Sequence, residues 1–222
     1  MRFSPDSHRP PRGRTAAFTL DELLVLVVVL IILAGLFLPR RHYYNGAMRI
    51  KCVNNLKEVG LAFRIWAEDN HDKFPMQISV TNGGTLELAA GADTFPHFQV
   101  MSNDLYDPRI LVCPQDVRRR SATNFVEGFN DDSISYFVGV NAEQTNPSAV
   151  LAGDRNLAVG GMWLRHGLNE VTNNAAIGWT RQIHSHCGNI ALADGSVQQV
   201  DSDQLRWLFE RSGAATNRLV LP

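Results

Sequence analysis

The sequence predicts an α+β protein in which one long N-terminal helix, apolar over its first half, packs on a small antiparallel sheet domain. Three features carry this prediction. From Leu23 to Leu38 every residue is apolar or glycine. Cys52, Leu56, Val59, Phe63 and Trp66 then recur at spacings of four and three, the period of a helix with one buried face. Near the C-terminus, Asp194-Gly195 separates two apolar-containing segments in the pattern of a hairpin with a two-residue primed turn.

With 222 residues, 45% of them hydrophobic and 19% charged, the chain can bury one substantial core, which excludes a disordered protein. Its formal charge of −1 hides an uneven distribution. Arg2, Arg9, Arg12 and Arg14 against Asp6 give residues 1–17 a charge of +3, leaving −4 for the rest. A body of that sign lacks the basic footprint of a nucleic-acid binder, so no nucleic acid is expected.

Ala16, Ala17, Phe18 and Leu20 lengthen the apolar run to roughly the 20 residues a bilayer requires, so residues 18–39 read as a transmembrane helix. A cleaved secretory signal is the rival reading. The run exceeds that signal's apolar centre of about 7 to 15 residues and ends in Pro39-Arg40-Arg41 without an A-x-A site. Asp21 and Glu22 stand at its mouth. A carboxylate costs about 2.5–3.5 kcal/mol at the centre of a membrane helix, less near an end where it can reach the interface. One reading makes these acids a helix start, because Thr19 and Glu22 have capping-box spacing. The other asks for a partner.

Pro39 lacks an N–H, so a kink is expected there. Residues 40–70 continue the helix in amphipathic form, and from Phe18 to Glu68 it would be roughly 75 Å long. Asn70 to Pro75 closes it. Residues 71–222 then read as one globular antiparallel domain. Asn82-Gly83-Gly84 and Ala90 to Asp93 are loops, and Ile110–Cys113, Ile134–Val140 and Ala149–Ala152 are strands. The hairpin joins residues 189–193 to 196–200, and a short helix covers Asp203 to Arg211.

Three cysteines, Cys52, Cys113 and Cys187, are too few for a disulfide scaffold, and outside the cytoplasm Cys113 and Cys187 are the candidate bridge. His184, His186 and Cys187 have strand spacing and zinc-compatible donors, with His166 and His97 more loosely placed, but no second ligand pair stands nearby. An extended chain would hold His184 and Asp194 some 33 Å apart, so Asp194 reads as the turn residue before Gly195. Asp154 either binds an ion or pairs with an arginine to fix a loop. Calcium at Asp154 or at Asp131-Asp132 is conceivable, though no EF-hand spacing is present. No nucleophile elbow, phosphate loop, dinucleotide fingerprint or H-E-x-x-H occurs.

The stretch Ala17-Phe18-Thr19-Leu20-Asp21-Glu22 closely resembles the prepilin processing motif of type IV pilins and type II secretion pseudopilins. The resemblance implies a leader of residues 1–17, cut by a prepilin peptidase between Ala17 and Phe18, and N-methylation of Phe18. Ala17 departs from the glycine usual there. Glu22 would pair with the amino terminus of a neighbouring subunit, while Asp21 holds a variable position. The body resembles a bacterial pilin-like group marked by a histidine, nine residues and Asp-Gly, here His184, Asp194 and Gly195. "KCVNNLKEVGLAFRIWAEDNHDKFP", "PRILVCPQD" and "LAGDRN" look like members of the same group. The resemblance implies a pilin-like fold and a structural, non-enzymatic subunit of a type II secretion or type IV pilus-like filament. It also implies a single-pass protein of the bacterial inner membrane, its globular domain extracytoplasmic (periplasmic). The implied partners are other pilin or pseudopilin subunits and an inner-membrane assembly platform. No cofactor is implied, and some secretion pseudopilins bind calcium. The alternative is a membrane-tethered module, such as a minor pilin, that binds a ligand or surface.

Overall fold

The computed structural model describes residues 19–37 and 41–222, in two units, one ending at Arg41 and the other running from His42 to Pro222. Within the first lies α1, Leu20–Phe37. Thr19 caps it: its hydroxyl accepts from the Glu22 N–H at 3.3 Å, while Glu22 Oε2 accepts from the Thr19 N–H at 3.0 Å. The cleavage position at Ala17 and Phe18, the leader, and the kink at Pro39 lie outside the described residues.

Two expectations are corrected here. The described chain has not one long helix but two, α1 of 18 residues and α2, Arg41–Asp69, of 29. Moreover, among the described residues no helix is long and apolar enough to cross a membrane. At 1.5 Å per residue α1 rises about 27 Å, short of a hydrocarbon core of about 30 Å, and its first turn carries Asp21 and Glu22. The transmembrane first half and the single-pass inner-membrane location are therefore not supported. The expected single small sheet is also replaced, by one of six strands and one of three.

The second unit continues from α2 through short helical turns, including α3 (Phe95–Gln99) and α4 (Ser102–Leu105), to β1 (Tyr136–Gly139) and β2 (Val150–Asp154). Next come β3 (Leu157–Val159), β4 (Met162–Trp163), β5 (Gly167–Thr172) and β6 (Ile177–Trp179). The chain ends with β7 (Cys187–Leu192), β8 (Val197–Asp201), α5 (Ser202–Arg211) and β9 (Thr216–Leu221). The large sheet has the order β5-β9-β1-β2-β7-β8 and the small one β4-β3-β6, with antiparallel pairing throughout.

Strand alternation sorts the core into two layers, because successive side chains leave a strand on opposite faces. Tyr136, Val138, Leu151, Ala191 and Val220 bury against Cys52, Leu56, Val59, Phe63 and Trp66 of α2. Phe137, Val150, Ile190, Leu192, Leu219 and Leu221 bury with Leu157, Trp179, Leu205, Leu208 and Phe209. The large sheet is thus a middle layer, with α2 on one face and α5 and the small sheet on the other. Phe63 anchors the α2 side, edge-on to both Phe74 and Phe98 at 6.0 Å between centroids. An Asp201 capping box with Gln204 starts α5.

Local differences have local causes. Ile110–Cys113, expected as a strand, instead begins inside a 3-10 turn, Pro108–Leu111, which Pro108 opens and the Asp107 side chain caps by accepting from the Arg109 N–H. The bridge is Cys52–Cys113, not Cys113–Cys187, and Cys187 is free. Cys52 lies on the buried stripe of α2 and Cys113 ends a buried apolar stretch, with Cα atoms 5.1 Å apart across 61 residues.

Candidate functional site

The stretches quoted from the body converge on one buried node. Cys52 brings α2 to the loop that begins at Cys113, and Asn55 Nδ2 donates to the Val112 carbonyl at 3.1 Å. That loop is a tight turn, closed by the Asp116 N–H donating to the Cys113 carbonyl at 2.8 Å. Arg155 holds it with a two-pronged contact, Nε to Asp116 Oδ2 at 2.7 Å and Nη2 to Oδ1 at 2.8 Å. Asp116 is 5% exposed, so this pair is strong and specific in direction. The sequence left open whether Asp154 pairs with an arginine. An arginine does fix a loop here, but its partner is Asp116.

Asp154, the last residue of β2, faces inward and is fully buried. Its Oδ2 accepts from Asn189 N at 2.7 Å and Asn189 Nδ2 at 2.9 Å, which ties β2 to β7. His184 Nε2 lies 3.3 Å from the same oxygen and 3.4 Å from Cys113 Sγ. That separation suits an ion pair, yet burial opposes both charges. Burial, with Arg49 nearby, lowers His184 to about 4, and burial raises Asp154 to about 7 against the pull of its Asn189 hydrogen bonds. At neutral pH the contact is therefore a neutral imidazole beside a carboxyl that burial pushes toward its protonated form. Asp154 Oδ1 and His184 Nδ1 have no hydrogen-bond partner among the described residues.

The chain turns sharply after His184 through two successive left-handed residues, Ser185 at φ 54° and His186 at φ 68°. Each costs about 1–2 kcal/mol, a strain kept only where surrounding contacts fix the loop. His186 is exposed and its Nδ1 lies 3.4 Å from the Trp179 carbonyl. The three zinc-compatible residues His184, His186 and Cys187, weighed against structural or surface roles, are thus not assembled into a site. His184 instead joins Cys52 and Cys113, whose ligand atoms all lie within 4.8 Å of one another.

Asp194 does not enter this node. Its Oδ1 accepts from the Ser196 N–H at 2.8 Å inside the hairpin turn, and its carbonyl accepts from Arg64 Nη1 at 2.9 Å. Gly195 follows at φ 84°, a left-handed position, with Arg64 Cδ 3.0 Å from where a Cβ would sit. At the other end of the motif, the His184 carbonyl accepts from Arg49 Nη2 at 3.3 Å. Both ends of His184-x9-Asp194-Gly195 are therefore tied to α2. A hydrolytic centre needs His184, Asp154 and Asp194 together, and only the first two meet.

The other sequence candidates have local tasks. Asp131 accepts from Thr94 N at 3.0 Å and Phe95 N at 2.7 Å and contacts His166 Nε2 at 2.8 Å, so its carboxylate staples two loops. Asp132 pairs with Arg119 at 2.7 Å. His97 is buried with Nδ1 2.7 Å from Thr85 Oγ1, and burial lowers it to about 4. The node's cysteine pair was missed because nothing in local spacing links residues 61 apart. The usable signal was that each cysteine sits in an apolar, buried-type pattern.

A second surface of functional interest is α1. Its large apolar side chains from Leu20 to Leu33 are all exposed, Leu20 at 78% and the least exposed, Leu33, at 43%. Glu22, Val25, Leu26 and Val29 share one face at helical spacing. Compared with known protein families, with curated proteins and with solved structures, the chain matches none.

Proposed function

We propose that the chain is a structural subunit of a type II secretion or type IV pilus-like filament, processed by a prepilin peptidase between Ala17 and Phe18, and that copies associate through α1. The observation that carries this reading is the continuous exposed apolar surface of α1, which is uncovered among the described residues and is far larger than single scattered apolar residues. A bundle of such helices from several copies would bury it. The processing motif supplies the second support, because it ends at the start of that same helix.

Glu22 takes a definite place in this reading. In the single chain its carboxylate is held by Thr19, whose hydroxyl donates to Oε2 at 2.8 Å. An arriving amino terminus from a neighbour would share that carboxylate with the cap. The capping and pairing readings of Glu22 are then successive states of one residue.

The test is co-expression of the full chain with a prepilin peptidase, followed by intact-mass analysis. A product starting at Phe18 and carrying one methyl group supports the proposal, and an uncut Met1 chain overturns it. Glu22→Ala is expected to be processed normally yet to be absent from sheared filaments. A binding module remains the second reading, favoured by Met162 and Trp163, both exposed in β4, with the Arg118 guanidinium 5.8 Å from the Trp163 ring centre. For a pure filament subunit, Trp163→Ala leaves assembly unchanged.

A further inference from the structure

The buried node holds two sulfurs and an imidazole nitrogen within 4.8 Å of one another. Cys52 Sγ, Cys113 Sγ and His184 Nε2 come from three separate segments, and all three residues are buried. A zinc ion with Zn–S of about 2.3 Å and Zn–N of about 2.05 Å sets its N and S donors about 3.5 Å apart. The observed His184 Nε2 to Cys113 Sγ separation is 3.4 Å. The bridged sulfurs would separate to about 3.8 Å on the same ion. A shift of that size is within side-chain rotation at Cys52 and Cys113.

A second observation points the same way. Asp154 is a fully buried carboxyl with no cationic side chain on it, and its Oδ1 is without a hydrogen-bond partner among the described residues. Buried carboxylates are ordinarily paired with a cation or metal. Arg155, adjacent in sequence, is committed to Asp116. An open cleft of about 410 Å³ has Arg49, Pro114, Val117, Ile183 and His184 in its wall.

We propose that the Cys52–Cys113 disulfide and a zinc-type site are two alternative states of the same three side chains, Cys52, Cys113 and His184. The exchange is a two-electron step. A dithiol reductant is oxidised to its own disulfide while the Cys52–Cys113 bond breaks to two thiols. A divalent ion then takes both sulfurs as thiolates, releasing their two protons to solvent, with His184 Nε2 as the third ligand and a water in the fourth position. Imidazole with thiolate selects zinc-like borderline ions over calcium or magnesium. Either state joins α2 to the Cys113 loop, so the fold keeps its crosslink whether the surroundings are oxidising or reducing. This inference is independent of the filament reading.

The experiment uses the full chain, reduced anaerobically with a phosphine and equilibrated with Co²⁺ and then Zn²⁺. The expected result is one metal per chain, with thiolate-to-cobalt charge-transfer and tetrahedral d–d bands that zinc abolishes. The disulfide form binds none, and Cys187→Ser behaves as the parent. Cys113→Ser removes the charge-transfer band expected of two thiolates, and His184→Gln weakens affinity at least tenfold. A second readout guards against variants that misfold: in the parent chain, zinc should slow alkylation of Cys52 and Cys113 at least tenfold while leaving Cys187 unchanged. A reduced chain that takes up no metal, or whose zinc protects Cys187 instead, overturns the proposal.

Discussion

Asp154→Asn gives the sharpest test of the buried node, because it removes one titration and keeps the acceptor for Asn189. Burial raises the Asp154 carboxyl from 3.8 to about 7. The folded chain therefore retains a proton that the unfolded chain releases. This contribution to stability is fully present below about pH 4 and is lost as pH rises through about 7. At about 1.4 kcal/mol per unit, the change amounts to about 4 kcal/mol. His184 acts with the opposite sign. Its folded value is lowered from 6.5 to about 4, so its contribution is present above about 6.5 and lost as pH falls through about 4, by about 3 kcal/mol. His97 adds a further change of that second kind. In the parent these slopes oppose one another, so the informative quantity is the difference between variant and parent. Urea unfolding of the oxidised, chelator-treated chain in nonionic detergent, at half-unit steps of pH, should show that difference moving by about 4 kcal/mol in favour of the variant between pH 4 and 7. A difference that stays constant across this range would refute the account of Asp154 as a carboxyl kept protonated by burial.

Phe63→Ala should destabilise the second unit by about 3–5 kcal/mol, since it empties a fully buried site enclosed by Phe74 and Phe98, and a thermal melt with near-UV detection would register the loss. Gly195→Ala should cost about 1–2 kcal/mol at φ 84°. Its cost would appear in the same urea assay, and an unchanged midpoint would mean that the hairpin relaxes without strain.

Legibility in the sequence followed the range of each interaction. The α2 stripe was readable because Cys52 to Trp66 repeat at spacings set by one turn of helix, and all five bury. The Asp194-Gly195 turn was readable for a similar reason, since its chemistry is complete within two residues. β9 was not, although it pairs with both β1 and β5. Its sequence Thr216-Asn217-Arg218-Leu219-Val220-Leu221 gains strand character from neighbours far away in the chain. The small sheet escaped notice too, as β3, β4 and β6 are only two or three residues each. At the node, His184 and Asp154 were both singled out, but their meeting depends on the β2–β7 register and on the left-handed turn at Ser185 and His186. An extended-chain estimate could weigh His184 against Asp194. It had no means of finding Asp154, which is 30 residues away and on another strand.

The histidine-to-glycine motif gains a metric meaning from its two ties to α2. Arg49 and Arg64 are fifteen residues apart, a rise of about 22 Å along one rigid helix. Each grips a backbone carbonyl rather than a side chain, one at His184 and one at Asp194. The helix therefore works as a ruler and the intervening nine residues as the length being measured. Inserting or deleting one residue between the grips would leave both carbonyls available but turn the β7 side chains to the wrong face, with Ile190 and Ala191 trading layers. On this view the count in the motif is held by geometry, and a change of spacing should do more damage than a change of any single side chain between its ends.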